Sequence, residues 1–391
     1  MKIALVHDYI KEYGGAERVL EALHELYPQA DVYTSVYLPS YLGPHRDRFK
    51  DWKIKTSFLQ YIPGRAKLIS PMRLLSPLAF KSFDFSKYDV LISSATGAYF
   101  PNSLQKGSAK LICYCHTPPR YLYGYATARQ WKNNILLRII GESMNHFLRI
   151  VDFNASKNVD LYIANSEEVR GRIRKFYRSD AKVIYPPVEI ETSKLSSSVQ
   201  LENKKLTPKN LVSKRYFLTG GRLARAKHVD IIIKACTELK VPLKVFGKAF
   251  AGYGEELRQI ANGKWHMVDG ERKPLVEFLG EVDDVQKLEL MRGAKAFLFA
   301  SEDEDFGITP VEAMGQGVPV IAFRSGGVRE TIVEKKTGLF FDQLSKESLM
   351  EQLKAFDKIR FKKEDCVGQA EKFSKKRFLK EIDAVISKKT S

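Results

Sequence analysis

The chain has 391 residues, an apolar content of 44% and a formal net charge of +18 at pH 7, so it is long enough for two globular domains that each bury a core. Its longest apolar runs have only the length of a strand, which argues against a transmembrane span. The first residues lead directly into a strand pattern without a cleavable signal sequence, and we therefore expect a cytoplasmic protein.

Short apolar runs alternate with amphipathic helical patterns from the amino end onward, which is typical of parallel sheets built from β-α-β units. The first half predicts a helix over residues 15–26. It also predicts strands over 3–6, 32–35, 90–93, 110–114, 161–164 and 183–185. Polar residues then fill 192–210, and their composition predicts a boundary between domains.

The same alternation resumes after this boundary. It predicts a terminal amphipathic helix over 371–388 and strands over 216–219, 243–246, 276–279, 296–299 and 318–322. We therefore expect the α/β fold class, with two doubly wound, Rossmann-like domains. The first domain is predicted over 1–190 and the second over 191–370, followed by the terminal helical segment 371–391.

The positive charge is concentrated in the first domain. Residues 41–150 contain 17 Lys or Arg against 5 Asp or Glu, a net charge of +12, interleaved with aromatic and apolar residues in 52–55 and 58–69. Such a face suits an anionic membrane surface, where each basic residue contributes about 1 kcal/mol. It would also attract nucleic acid, but the chain has no nucleic-acid-binding module and we expect no such partner. A solvated basic face without a partner is the remaining interpretation.

The segment from Glu304 to Glu312 combines an anion site with two carboxylates. It follows an apolar, strand-like run and so lies at the carboxyl end of a strand, the edge where ligands bind in open α/β sheets. Thr309 as N-cap, Pro310 at the first helical position and Glu312 three residues after the cap predict a capping box. Backbone N–H groups at such a helix start favour a phosphate.

The residues alone leave three interpretations of these carboxylates open. Glu312 can simply cap its own helix, contributing about 1 kcal/mol, and the acidic run 302–305 can be a solvated loop. A glycosidase-type pair needs carboxyl groups roughly 5 to 10 Å apart. Eight residues of helix span about 12 Å, and the glycine-containing turn leaves the real separation undetermined.

The whole stretch 304–312, followed by 313–322 and 326–330, resembles the donor-site signature of retaining glycosyltransferases of family 4, which have the GT-B fold. Further segments agree in their order along nearly the whole chain. They are Gly14-Gly15-Ala16-Glu17-Arg18, Asn165-Ser166, Gly220-Gly221-Arg222-Leu223 with Lys227, and Phe278-Leu279-Gly280. Residues 114–121 are most similar to the mannosyltransferases of bacterial surface-polysaccharide assembly.

The resemblance implies that the two domains face a cleft and that the terminal helix packs back on the first domain. It implies a retaining hexosyltransferase, for which we expect mannose from GDP-mannose as the donor. The expected acceptor is a lipid-linked glycan of surface polysaccharide or lipopolysaccharide synthesis. Together with the basic face, this predicts a peripheral protein on the inner face of the cell membrane.

Other functions stay open at this stage. A UDP-hexose donor is the alternative within the same family, and a nucleotide-sugar epimerase or a glycogen-phosphorylase-like enzyme could share the fold. The phosphorylase alternative is disfavoured because the chain is short and has no recognisable pyridoxal-binding lysine site. A non-catalytic protein that binds membranes or polyanions is the alternative of a different class.

The resemblance also assigns site residues. Glu304 would hold sugar hydroxyls and support an oxocarbenium-like transition state, His116 would touch the donor sugar, and Arg222 and Lys227 would neutralise the leaving diphosphate. Glu312 would hold the ribose, and the other donor-binding candidates are Gly15, Gly221, Phe306, Gly307, Ile308 and Thr309. The acceptor candidates are Asp8, Arg120 and Tyr121, and a phosphate is the alternative ligand of Arg120 and Tyr121.

Each assignment has a structural alternative. Asp8 could cap a loop, His116 could be a packed histidine in a proline-braced loop, and Arg222 and Lys227 could belong to a solvated basic loop. No carboxylate nucleophile is evident under the sugar, and the resemblance implies a front-face substitution in which the diphosphate oxygen takes the acceptor's proton.

We expect no metal and no other cofactor. The chain has no Asp-x-Asp in a plausible metal-binding loop, and Arg222 and Lys227 can supply the positive charge instead. Its cysteines have neither the spacing of a zinc site nor that of a disulfide framework; they are Cys113, Cys115, Cys236 and Cys366.

Overall fold

The computed structural model describes residues 1–126, 135–190, 216–263, 265–268 and 271–390. The chain divides into two compact units. Among the described residues, the first unit contains 1–126, 135–187 and 375–390, and the others belong to the second. The predicted boundary segment 192–210 lies outside the described residues.

The first unit is a parallel sheet covered by helices. Its strands are β1 (Ile3–His7), β2 (Asp31–Thr34), β3 (Ile54–Thr56), β4 (Val90–Ala95), β5 (Lys110–Cys115), β6 (Leu161–Ala164) and β7 (Ala181–Val183). Its helices are α1 (Gly15–Leu26), α2 (Arg65–Met72), α3 (Ser76–Lys81), α4 (Arg120–Tyr123), α5 (Ile135–Ser156) and α6 (Glu167–Tyr177). The strand order is β3-β2-β1-β4-β5-β6-β7, so the winding direction reverses between β1 and β4.

The apolar pattern explains this architecture. All residues of β4 are buried, as expected for a parallel strand with helices on both faces of its sheet. Helix α1 buries Val19, Leu20 and Leu23 on one side and packs them against Leu5 of β1 in the same core. Each such side chain contributes roughly 1.5 to 3 kcal/mol when it is fully buried.

The second unit has the same architecture, with helices that cover a parallel sheet. Its strands are β8 (Tyr216–Gly220), β9 (Leu243–Phe246), β10 (Trp265–Val268), β11 (Glu271–Pro274), β12 (Val276–Gly280), β13 (Ala294–Phe299), β14 (Val320–Phe323) and β15 (Gly338–Phe341). Its helices are α7 (Val229–Glu238), α8 (Tyr253–Ala261), α9 (Asp284–Gly293), α10 (Ile308–Gly315), α11 (Val328–Thr331), α12 (Lys346–Phe356) and α13 (Lys363–Glu371).

The main sheet of this unit is parallel and has the order β12-β9-β8-β13-β14-β15, while β10 and β11 form a separate antiparallel hairpin. Its winding reverses between β8 and β13. Both units therefore have the predicted doubly wound, Rossmann-like fold, and the fold-class prediction is confirmed.

The helix predicted over 371–388 is wrong at its start, because Glu371 still belongs to the preceding helix. Helix α13 ends at Glu371, and α14 (Lys375–Thr390) begins after a break. At the break the N–H of Val188 donates to the carbonyl of Phe373 at 3.0 Å, so this backbone pairs with another segment instead of continuing the helix. Helix α14 belongs to the first unit, where its apolar face joins the core through Phe378, Ile382, Val385 and Ile386.

Candidate functional site

Loops of the second unit meet at the edge where its winding reverses. Strands β8, β13 and β14 are neighbours in the sheet, and their carboxyl ends point the same way because they are parallel. The N–H of Glu302 donates to the carbonyl of Ala226 at 3.0 Å, and the N–H of Gly327 donates to the carbonyl of Glu304 at 2.8 Å. These bonds fix the loop after β13 to the loops after β8 and β14.

Glu304 and Lys227, both predicted from the sequence, form an ion pair in this loop cluster. Ser301 also donates its hydroxyl to the Glu304 carboxylate at 2.5 Å. The two charged side chains keep 14% and 27% of their surface exposed, so the pair can be reached from solvent. A charged pair at the edge of the sheet where ligands bind can hold a polar, anionic ligand.

Gly221 and Arg222 belong to the same loop region. Gly221 has a φ of 110°, and a Cβ there would lie 3.7 Å from Oγ1 of Thr309, so the loop runs close to the start of α10. Arg222 is exposed, with its guanidinium carbon 5.6 Å from the ring centroid of Phe250. The structure thus brings Gly221 and Thr309 together and leaves the Arg222 charge at the surface.

The predicted capping box at Thr309 is wrong. Helix α10 begins two residues earlier, at Ile308, after Gly307 as N-cap with a φ of 89°. The glycine adopts this left-handed conformation at little cost, which lets the helix start before the threonine. Pro310 is then the third helical residue, still within the first turn, where no intrahelical N–H partner is needed.

The side chains of two donor candidates in this segment are buried. The Phe306 ring is 2% exposed and lies edge-on to Phe373, with 5.4 Å between ring centroids, so only its backbone can reach a ligand. Glu312 is 5% exposed and does not cap α10. Its Oε1 accepts from Nζ of Lys287 at 2.8 Å, and Lys287 also contacts Asp284 of its own helix at 3.1 Å. Sequence reasoning missed Lys287.

The first unit has a buried polar group at its own reversal point, between β1 and β4. Oγ of Ser94 lies 3.1 Å from Nδ1 of His7 and 2.9 Å from Nε2 of His116. The Asn165 amide donates to the backbone carbonyl of His116 at 3.0 Å and fixes the loop after β5. Burial and the neighbouring His7 lower the pKa of His116 to about 3, so the ring is neutral at pH 7.

The acceptor candidates have structural partners. The buried Asp8 carboxylate accepts from the Thr96 hydroxyl at 2.5 Å and from the N–H groups of Ala98 and Tyr99 at 3.1 and 2.9 Å, so it caps a loop. Burial raises the pKa of Asp8. Tyr121 lies under the Arg73 guanidinium, 4.2 Å from the ring centroid, and adjoins Arg120 at the start of α4. Gly15 is the first residue of α1.

Neither a metal cluster nor a membrane-spanning helix occurs in the part of the chain that the structure describes. No group of three or more His, Cys, Asp or Glu side chains there could hold a metal ion. None of the helices there is long and apolar enough to cross a bilayer. The expectations about cofactors, and the expectation that the two units share one cleft, stay predictions.

Apolar side chains are exposed on several elements of the first unit. Ile139, Phe147 and Ile150 follow one face of α5 and are 62%, 64% and 50% exposed. Tyr61, just before α2, is 81% exposed, and Leu68 within α2 lies beside the exposed Lys67. These side chains belong to the basic region 41–150.

Comparisons with known proteins agree with this architecture. The family model described as Glycosyltransferase Family 4 matches residues 13–192, and the model described as Glycosyl transferases group 1 matches residues 202–373. The alpha-1,3/1,6-mannosyltransferase ALG2 of Rhizomucor pusillus is 27% identical over 383 residues, covering 87% of this chain and 80% of that protein.

Two solved structures have the same fold. HepE of Anabaena, in complex with UDP, has a TM-score of 0.67 at 19% identity and covers 99% of this chain and 100% of its own. Sucrose-phosphate synthase of Thermosynechococcus elongatus has a TM-score of 0.69 at 16% identity and covers 99% of both chains. The chain therefore belongs to glycosyltransferase family 4, has the GT-B fold and is a hexosyltransferase.

Proposed function

We propose that this enzyme transfers mannose from GDP-mannose to a lipid-linked oligosaccharide, with retention of the anomeric configuration and without a metal ion. The similarity to mannosyltransferases over most of the chain supports the choice of sugar. The observation that carries the proposal is the Glu304–Lys227 pair beside the start of α10, because it combines a carboxylate, a cation and helix N–H groups at one ligand-binding edge.

The diphosphate is neutralised by the protein itself. Lys227 and Arg222 supply two positive charges, and the first turn of α10 supplies backbone N–H groups that have no partner within the helix. Gly221 and Gly307, without side chains, let the donor approach this backbone closely. These groups stabilise the negative charge that develops on the leaving diphosphate.

The transfer is a front-face substitution. The acceptor hydroxyl oxygen forms a bond to the anomeric carbon on the side from which the diphosphate oxygen departs. The hydroxyl proton passes to that departing phosphate oxygen, so charge and atoms balance without a carboxylate nucleophile. Glu304 holds the sugar hydroxyls and stabilises the positive charge on the ring, and Lys227 releases the carboxylate when it turns to the phosphate.

A donor panel tests the proposal. The purified enzyme is incubated with GDP-mannose, UDP-glucose and UDP-galactose and a lipid-linked oligosaccharide, with and without chelator, and nucleotide release is measured. We expect release from GDP-mannose that chelator leaves unchanged and that Glu304→Gln abolishes. Glu347→Gln, an exposed carboxylate on α12, serves as the matched control. Release only from a UDP-sugar would replace the donor, and no release from any donor would refute the proposed reaction.

The proposed location is the inner face of the cell membrane. The exposed apolar side chains of α2 and α5 lie in the region with a net charge of +12, a combination that suits an anionic interface. We expect vesicles with anionic lipids to bind the protein and neutral vesicles to bind it less. Phe147→Ser and Leu68→Ser should weaken binding, whereas Val285→Ser, an exposed apolar residue of α9, should not. Equal binding by all variants would contradict this location.

A further inference from the structure

A chain of buried polar side chains in the first unit runs from Glu17 to His116 through His7 and Ser94. Oε1 of Glu17 lies 3.6 Å from Nε2 of His7, Nδ1 of His7 lies 3.1 Å from Oγ of Ser94, and that oxygen lies 2.9 Å from Nε2 of His116. All four residues are at least nine-tenths buried, with exposures of 6%, 0%, 0% and 8% in the order Glu17, His7, Ser94 and His116. Of these four residues, only His116 is a site candidate from the sequence.

The fold holds these residues in register. His7 ends β1 and is paired with Ser94 across the β1–β4 ladder, and His116 follows β5, the next strand. Glu17 lies in the first turn of α1, where its second oxygen, Oε2, accepts the N–H of Gly14 at 2.9 Å. This bond fixes the carboxylate so that Oε1 faces His7.

The hydroxyl of Ser94 couples the donor and acceptor roles of the two histidines. It has a single proton, so it can donate to one histidine and must accept from the other. A carboxylate can only accept, and Nε2 of His7 is buried without a hydrogen bond among the described residues, facing Glu17. A neutral His7 therefore carries its proton on Nε2, toward the carboxylate, and its Nδ1 accepts the Ser94 hydroxyl. The serine oxygen is then left to accept the Nε2 proton of His116.

We propose that Glu17, His7 and Ser94 are positioning residues that hold His116 in the Nε2–H tautomer, so that its Nδ1 presents a lone pair to the substrate. Within the described residues no hydrogen bond occupies Nδ1 of His116. Resting on the proposed function, this lone pair accepts a hydroxyl of the donor sugar and faces the positive charge that develops on its ring. The opposite tautomer would turn an N–H dipole toward that charge.

Replacing Glu17 by glutamine should reverse the direction of the hydrogen bonds that run from residue 17 to His116. The N–H of Gly14 still requires an oxygen on its side, so the amide NH₂ must face Nε2 of His7 and donate to it. The proton of His7 then moves to Nδ1 and donates to Ser94, and the serine hydroxyl donates to Nε2 of His116. The Glu17→Gln variant should therefore contain His116 as the Nδ1–H tautomer.

Nitrogen-15 NMR of the full-length, histidine-labelled enzyme reads both tautomers directly, with the His116 signals assigned by a His116→Gln variant. We expect Nε2–H for His7 and His116 in the unmodified protein and Nδ1–H for both in Glu17→Gln. Glu25→Gln, the same change on an exposed position of α1, should leave both unchanged. In a Ser94→Ala background, Glu17→Gln should no longer alter His116.

Kinetics supply the second readout. Glu17→Gln should lower kcat by about tenfold or more, the effect of one misdirected hydrogen bond in the transition state, with little change in donor KM. Nδ1–H on His116, or a doubly protonated His7, in the unmodified protein would overturn the proposal, as would an unchanged tautomer in folded Glu17→Gln. The NMR result does not depend on turnover, so a failure of the proposed reaction is distinguishable from a failure of this inference.

Discussion

The ammonium nitrogen of Lys287 lies 2.8 Å from Oε1 of Glu312, and both side chains are buried. The pair joins α9 to α10, the helix that contains the end of the predicted donor-site segment 304–312. A buried charge is costly without its partner, so this contact holds the two helices together and fixes the position of the Glu312 carboxylate.

Removing Lys287 alone should therefore be strongly destabilising. We expect Lys287→Met to lower the free energy of unfolding by about 3 to 5 kcal/mol, measured by urea denaturation, because the buried Glu312 carboxylate loses its ammonium partner. The double variant Lys287→Met with Glu312→Gln should be more stable than Lys287→Met alone. It should still bind the donor more weakly than the unmodified protein. Equal stability of Lys287→Met and the unmodified protein would show that the pair contributes little.

Glu304 and Glu312 should differ in the kinetic parameter that each controls. Glu304→Ala should lower kcat by roughly 10²- to 10³-fold with donor in excess and change donor affinity much less, because its carboxylate acts on charge that develops in the transition state. Glu312→Ala should mainly raise the donor Kd. Near-normal turnover of both variants at saturating donor would contradict the two roles.

The loop after β14, which contacts the backbone of Glu304, should not tolerate a side chain at Gly326. This glycine has a φ of 68°, and a Cβ there would overlap the carbonyl oxygen of Glu304. We expect Gly326→Ala to displace the Glu304 loop and lower turnover by roughly 10- to 100-fold. Gly252→Ala is the matched control, since its φ is 78° and no described atom lies within 4 Å of the added Cβ. Similar activity of the two variants would mean that backbone strain alone, not the overlap, matters.

Asp152 should make stability depend on pH. Its buried carboxyl accepts hydrogen bonds from the hydroxyl groups of Tyr123 at 2.7 Å and Tyr177 at 3.1 Å. Burial raises the pKa of this carboxyl from 3.8 to about 7. Between these two values the folded protein holds a proton that the unfolded chain has released. The free energy of unfolding, relative to an Asp152→Asn variant, should therefore fall by about 1.4 kcal/mol per pH unit across that window and level off above it.

Urea denaturation of both proteins at several pH values between about 5 and 8 checks this slope, because the other titrating groups are common to both. A difference that stays constant with pH would contradict the raised pKa of Asp152.

The sequence predicts the buried strands well and the edge strands poorly. Strands 161–164 and 243–246 and helix 15–26 have the predicted bounds, because buried parallel strands are apolar runs and the glycine pair Gly14-Gly15 marks the start of the helix. Strand β3 is only three residues long and contains Lys55, so it has no apolar run to detect. Strand β15 was also missed, and the strand predicted at 183–185 lies two residues earlier.

The candidate site is predictable only in part, for a different reason. Motif residues such as Glu304 and Lys227 can be found in sequence because each follows its own strand, and the structure joins them. Ser94 and Lys287 could not be found in this way. Their roles depend on which strands and helices become neighbours, and β4 meets β1 only because the sheet reverses its winding there.

The position of α14 has a consequence for biosynthesis. Phe378, Ile382 and Ile386 complete the core that also contains Leu5, yet the ribosome makes them only after the second unit, residues 188–374. At about 5 to 20 residues per second, the newly made first unit waits roughly ten to forty seconds with part of its core uncovered. The second unit, although later in the sequence, is made as one continuous segment, whereas the core of the first unit is completed only when α14 has been made.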